Sequence, residues 1–198
     1  MAKSVTKIPQ TRNIFTAAPI TGIAKRKVAG YARVSTDSDE QFTSYEAQVD
    51  YYTRYIRSHP EWEFVYLGVD YNGAAVELVN EKNVHNLGAK NYEQLPKYAH
   101  FFDCAMIPFK RGAIAKATSP VKLFEYMASG LPTVCTRDLQ ECEGYKYVYM
   151  SKNDKDFGQN IGKAIEDHKN SSAREMLLKQ AEENTWAKRV KIIAENLE

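Results

Sequence analysis

The chain has 198 residues, 27 basic and 25 acidic side chains and a formal net charge of +2, a size that fits one domain or two small ones. Its 43% hydrophobic and 26% charged content argues against a disordered chain, and the near balance of charge gives no global case for nucleic-acid binding. No apolar run of about 18 residues and no secretory leader is visible, so a soluble cytoplasmic protein is expected.

Residues 1–27 are polar, broken by Pro9, Pro19 and Gly22, and closed by Lys25-Arg26-Lys27. They read as a flexible basic arm. Such an arm is a candidate for contact with DNA phosphates, and a solvated tail is the competing reading. Val28 to Val34 reads as a buried strand, followed by the capping-type turn Ser35 to Asp39. From Gln41 to Arg57 the spacing of Tyr45, Val49, Tyr52 and Ile56 is helical. Glu63 to Leu67 reads as a second strand.

The alternation then becomes plainer. Val84 to Leu87 is a short strand, Tyr92 to His100 a short helix, and Phe102 to Ile107 a strand. The stretch from Lys110 to Thr118 is expected to be loop. A helix follows with Ser119 as N-cap, Pro120 as first helical residue and Gly130 just past its end. Leu131 to Cys135 and Tyr147 to Met150 are the last strands. Asp154 to His168 and Ser172 to Leu197 are amphipathic helices, the second one breakable at Asn184. Strands alternating with helices predict a parallel, doubly wound, Rossmann-like α/β sheet with helices on its faces.

Two constellations carry chemistry. In the first, Arg33 and Ser35 stand two residues apart at a strand end. The Arg can hold a phosphate oxygen while the Ser attacks phosphorus, although a helix cap explains the same Ser. The longer string Val28-Ala29-Gly30-Tyr31-Ala32-Arg33-Val34-Ser35-Thr36-Asp37, with Ser44-Tyr45-Glu46-Ala47-Gln48-Val49-Asp50 after it, closely resembles the start of the large serine recombinases of the resolvase/invertase type. That resemblance implies Ser35 as nucleophile, with Arg33 and Gln48 assisting at the phosphate. The arginine-bearing helix and the DNA-binding domains of that family have no counterpart here, so the implied site is an inactive remnant.

In the second, Ser119 and Pro120 open a helix whose free N–H groups and dipole favour a phosphate. Lys122 and Glu125 are three apart and share a face. Lys122 can add charge to a diphosphate and Glu125 can accept from a ribose diol, while an i,i+3 ion pair on a capped surface helix is the plainer alternative. The strings Asn83-Val84-His85-Asn86-Leu87-Gly88, Phe102-Asp103-Cys104-Ala105-Met106-Ile107-Pro108 and Ser119 to Val134, closed by Thr185-Trp186 and Arg189, resemble the donor-binding half of retaining GT-B glycosyltransferases. Enzymes of cell-surface polysaccharide synthesis, including the teichuronic-acid type, are the subgroup they are most similar to.

This resemblance implies a nucleoside-diphosphate sugar as donor substrate and no separate cofactor. It implies Glu125 at the donor ribose, and Ser119, Pro120, Thr118 and Lys122 around the diphosphate or sugar. Where many relatives carry an earlier Glu, this chain has Ala117. The acceptor-binding domain of such enzymes has no counterpart, so an incomplete enzyme is expected. Peripheral membrane association is a further expectation of the subgroup.

Together the resemblances predict three parts: an arm over 1–27, a recombinase-like βα piece over 28–59, and a donor-binding domain over 60–198, joined as a chimera. The first strand and helix either complete the sheet or dock loosely beside it. His85 and His100 read as core or surface residues rather than ligands. The three cysteines, Cys104, Cys135 and Cys142, are too few for a disulfide framework or zinc site. Cys104 and Cys135 are expected to be buried thiols, and Glu141 is expected near the donor site. The Tyr51-Tyr52-Tyr55 cluster reads as a packed helix face.

Overall fold

A computed structural model describes residues 56–68, 81–109 and 112–196, and the backbone of residues 26–30. Among the described residues six strands form one sheet: β1 (Arg26–Gly30), β2 (Trp62–Tyr66), β3 (Val84–Asn86), β4 (Cys104–Ile107), β5 (Thr133–Thr136) and β6 (Val148–Ser151). Their order is β3-β2-β1-β4-β5-β6 and every pairing is parallel. This is the Rossmann order, in which the strand sequence reverses between β1 and β4.

The helices are α1 (Leu95–Ala99, entered through a 3₁₀ turn at Tyr92–Gln94), α2 (Ala113–Lys116), α3 (Val121–Ala128), α4 (Asp154–His168), α5 (Ser171–Glu183) and α6 (Trp186–Glu195). They cover both faces because the strands are apolar on both. Phe64, Cys104, Met106 and Val134 point to the face packed by Phe157, Ile161, Ala164 and Ile165 of α4. Their neighbours Val65, Ala105, Ile107 and Cys135 point the other way, onto Leu123 and Met127 of α3, Leu177 of α5 and the α1 region. The two-residue period of each strand thus feeds two separate helix layers.

Residues 26–30 settle where the first strand lies. Val28 pairs with Phe64 on one side and with Cys104 on the other. The strand is therefore central, and loose docking beside the sheet is excluded for it. Its start corrects the expected arm: Arg26 and Lys27 belong to the strand, because the neighbouring strand β2 begins at Trp62 and offers Arg26 a register partner. Their charge hid this from a reading of hydrophobic runs.

Other boundaries shift for local reasons. The stretch expected as loop before Thr118 contains α2, whose Ala115 is buried in the core; an Ala-Ile-Ala-Lys run has good helix propensity. The expected helix over 92–100 begins as a 3₁₀ turn because Pro96 lacks an N–H and stands near the start of the α-helical part. By contrast, α4 spans the expected residues. Asn153 caps it by accepting from the Asp156 N–H at 2.9 Å, with Asp154 and Asp156 in its first turn and His168 in its last. The chain does break at Asn184, where Thr185 caps α6.

Asn83 ties the first half together. Its side-chain nitrogen lies 3.1–3.2 Å from the carbonyl oxygens of Ile56, His59 and Trp62. One buried amide thereby fastens the helical turn at residues 56–58 to the start of β2.

Candidate functional site

In a parallel α/β sheet, ligands collect at the carboxyl ends of the strands, where the strand order reverses. On this edge the chain leaves β4 at Ile107, passes Pro108 and Phe109, forms α2, and enters α3 at Pro120. The return from β5 brings Arg137 and Asp138 to the same edge. The two loops are tied together: the Gly112 N–H donates to Asp138 Oδ2 at 2.8 Å. Gly112 has φ 143°, a conformation that disfavours a side chain.

The start of α3 differs from expectation by one residue. Pro120 is the N-cap, with ψ 103°, and its carbonyl accepts from the Leu123 N–H at 2.9 Å. Ser119 is therefore outside the helix, exposed and not a cap. Pro120 has no N–H, so the backbone donors of this helix end begin at Val121. Thr118 turns back, and its hydroxyl donates to the Ile114 carbonyl of α2 at 2.6 Å. Thr118, Ser119, Pro120 and Lys122 thus lie within five positions around one helix N-terminus. Only Pro120 of the four is buried; Thr118 and Lys122 are half-buried.

Glu125 sits one turn further along α3 and is half-buried. Its Oε1 accepts from the Tyr92 hydroxyl at 2.9 Å. Tyr92 comes from the segment after β3 and is 70% exposed. The bond and the carboxylate's charge both push the phenol above its ordinary pKa, the bond being the larger cause. Sequence reading did not single out Tyr92 as a site residue; it stood there as the start of a short helix. Asp138 was missed as well; neither carries a spacing signal.

Beyond Glu125 the helix closes with a Schellman turn. The Gly130 N–H bonds to the Met127 carbonyl at 2.9 Å and the Leu131 N–H to that of Tyr126 at 3.0 Å, with Gly130 at φ 72°. Gly130 was expected there. A second reason for glycine is steric: a Cβ would stand 2.8 Å from Arg174 Cγ, and Arg174 Nη1 donates to the Ser129 carbonyl at 3.2 Å.

Phe124, next to Glu125, carries the α6 contact. The Arg189 guanidinium lies 4.4 Å from the Phe124 ring centroid and donates to Glu141 Oε1 at 3.0 Å. Glu141 is therefore engaged at the rim of α3 through Arg189. Tyr145 donates to Asn184 Oδ1 at 3.0 Å in the same cluster.

Cys104, Cys135 and Cys142 are buried free thiols, and burial pushes the first two well above the ordinary thiol range. His85 and His100 are exposed, with His85 beside Glu63. Arg33, Ser35, Gln48 and the Tyr51-Tyr52-Tyr55 cluster lie outside the described residues, as does the basic arm up to residue 25. Among the described residues no helix is long and apolar enough to cross a membrane.

A Rossmann-like parallel sheet with this helix start at its carboxyl edge defines an α/β protein of the GT-B type. The profile of the family described as glycosyl transferases group 1 matches residues 46–167, more than half of the chain, and the chain belongs to that family. A protein of Bacillus subtilis (strain 168), TuaH, named as a glycosyltransferase of teichuronic acid biosynthesis, is 28% identical over 130 residues, which cover 58% of this chain and 33% of TuaH. The chain thus spans about a third of that relative's length.

Among solved structures, TarM superposes with a TM-score of 0.57 at 15% identity, over 89% of this chain and 36% of TarM. An S. aureus TarM variant in complex with fondaparinux, α-GlcNAc-glycerol and UDP superposes with a TM-score of 0.52 at 16% identity, over 83% of this chain and 34% of that one. WaaG, a glycosyltransferase involved in lipopolysaccharide biosynthesis, gives 0.53 at 16% identity over 89% of this chain and 48% of WaaG. At these identities the superpositions establish the fold.

The family match begins at residue 46. It runs through the expected junction at residues 59 and 60, so residues 46–59, Gln48 among them, go with the glycosyltransferase family rather than with a recombinase piece. The physical arrangement agrees: Ile56 is buried in the same core as Phe64 and Phe157. The comparisons give no support to a recombinase-like piece or to a chimera joined at that point.

Proposed function

We propose that the chain binds a nucleoside-diphosphate sugar as glycosyl donor for polysaccharide synthesis at the cell surface. The observation that carries the reading is the position of Glu125, one turn into a helix whose open N-terminus lies at the carboxyl edge of the sheet. The N–H groups of Val121 and Lys122 suit a diphosphate, and the Lys122 ammonium adds charge to the same helix face. The Glu125 carboxylate suits a sugar diol. Thr118 and Ser119 stand where the donor's own sugar would approach.

In such a transfer, the protein's contribution at this edge is to hold and neutralise the departing diphosphate. Charge develops on that leaving group as the glycosidic bond to it breaks, so fixed N–H donors and Lys122 favour the transition state over the ground state. Retention of anomeric configuration belongs to the reading and is read from the product by NMR.

The test separates binding from turnover. Thermal unfolding of residues 1–198 is followed with UDP, ADP, GDP and their sugar conjugates, beside Glu125→Ala. A nucleotide at about 100 times its Kd should raise stability by about 2.7 kcal/mol. Stabilisation by one nucleotide that is lost in Glu125→Ala supports the donor site. A cooperatively melting protein that responds to none of them refutes it. Hydrolysis or transfer of the stabilising sugar nucleotide, assayed with the chain alone, then decides whether these 198 residues suffice for chemistry.

A further inference from the structure

We infer that Tyr92 and Glu125 act as a pair that reads the vicinal hydroxyls of the nucleotide's ribose, with Tyr92 as a second ribose-contact residue. The inference rests on the donor-site reading above. Its own basis is the geometry of one bond. Tyr92 donates its only hydroxyl proton to Glu125 Oε1 at 2.9 Å. An ionised carboxylate has two acceptor oxygens, and a phenol that donates keeps its oxygen lone pairs. Donation to an anion also makes that phenolic oxygen a better acceptor. Glu125 Oε2 and Tyr92 Oη are then neighbouring acceptors on one edge, and a cis-diol presents two adjacent O–H donors.

The placement of Tyr92 supports a ligand role over a packing one. Its ring is 70% exposed, so burial contributes little to holding it. It is fixed instead by a bond to a carboxylate 33 positions away, from an element on the far side of β1 and β2 in the sheet order. A surface tyrosine that reaches from the β3 side of the sheet to the donor helix shapes a site between them.

The opposite arrangement, a Tyr92 that blocks Glu125 and must be displaced, predicts the opposite sign. Affinities of wild type, Tyr92→Phe and Glu125→Ala are therefore measured by calorimetry for UDP, ADP and GDP and for the 2′-deoxy form of each. For the nucleotide that binds, wild type should prefer the ribo form, and Tyr92→Phe should weaken the ribo form by about three- to tenfold while leaving the deoxy form within about twofold. Unchanged melting of Tyr92→Phe separates this loss from unfolding.

A ribo-to-deoxy preference that survives intact in Tyr92→Phe overturns the inference while leaving the donor site standing, provided Glu125→Ala abolishes binding. Tighter ribonucleotide binding by Tyr92→Phe overturns it in favour of a displaced latch. No binding by wild type at all is the separate failure of the donor-site reading.

Discussion

The Tyr92 hydroxyl and the Glu125 carboxylate are joined at 2.9 Å across 33 positions of sequence. The bond links the segment after an edge strand to the helix after a central one. Because Glu125 raises the Tyr92 phenol above its ordinary value, chiefly through this bond, the contact should outlast the ordinary tyrosine range near pH 10. A folded-state pKa that is raised means the proton, and with it the bond, is retained at ordinary pH and lost as pH rises through the elevated value. NMR titration of ring-labelled tyrosine should show Tyr92 ionising later than an exposed reference tyrosine. In Glu125→Gln it should ionise earlier than in wild type.

Gly130 is held by backbone and by a neighbour. At φ 72° an alanine is strained, and its Cβ would meet the Arg174 side chain at 2.8 Å. Gly130→Ala should cost about 1–2 kcal/mol in denaturant unfolding. In an Arg174→Ala background the steric part should vanish and the backbone part remain. Full additivity of the two substitutions would contradict the contact.

Asn83 is a buried donor facing three carbonyl oxygens. Asn83→Ala should destabilise by about 2 kcal/mol, because those carbonyls lose a partner that water does not readily replace. Asn83→Asp should be worse at neutral pH, since it sets acceptors against acceptors. Equal stability of the two variants would argue that the amide serves only as filler.

Alkaline stability should follow the buried thiols. Burial raises Cys104 and Cys135 in the folded state, whereas the unfolded thiols titrate near 8.5. The native state therefore holds more protons above that value. The contribution is complete below about pH 8.5 and falls as pH rises, by about 1.4 kcal/mol per pH unit for each thiol. Tyr149, raised by burial and by its bond to Asp167, joins the decline above about pH 10. Urea unfolding at pH 7.5, 8.5 and 9.5 should show the fall, and Cys104→Ala should flatten it. A profile that is level across that range in wild type would contradict the assignment.

Much of this architecture was legible in the order of residues. Strand-helix alternation gave the α/β class, because buried parallel strands read as apolar runs and their covering helices as amphipathic ones. The span of α4, the stop at Gly130 and the break at Asn184 are local, and local residue chemistry fixed them. The helix behind Pro120, which carries Glu125, was legible because it lies within one continuous motif.

Tertiary structure decided what depends on distant partners. Arg26 and Lys27 are strand because β2 offers both a register partner, and no pattern of hydrophobicity marks a charged strand start. The single sheet places residues 26–30 at its centre, since Val28 pairs with both Phe64 and Cys104. Tyr92, Asp138 and Arg189 reach α2 and α3 from three other segments. Their contacts span tens of residues, and a hydrogen bond between chain-distant groups is created by packing rather than by spacing.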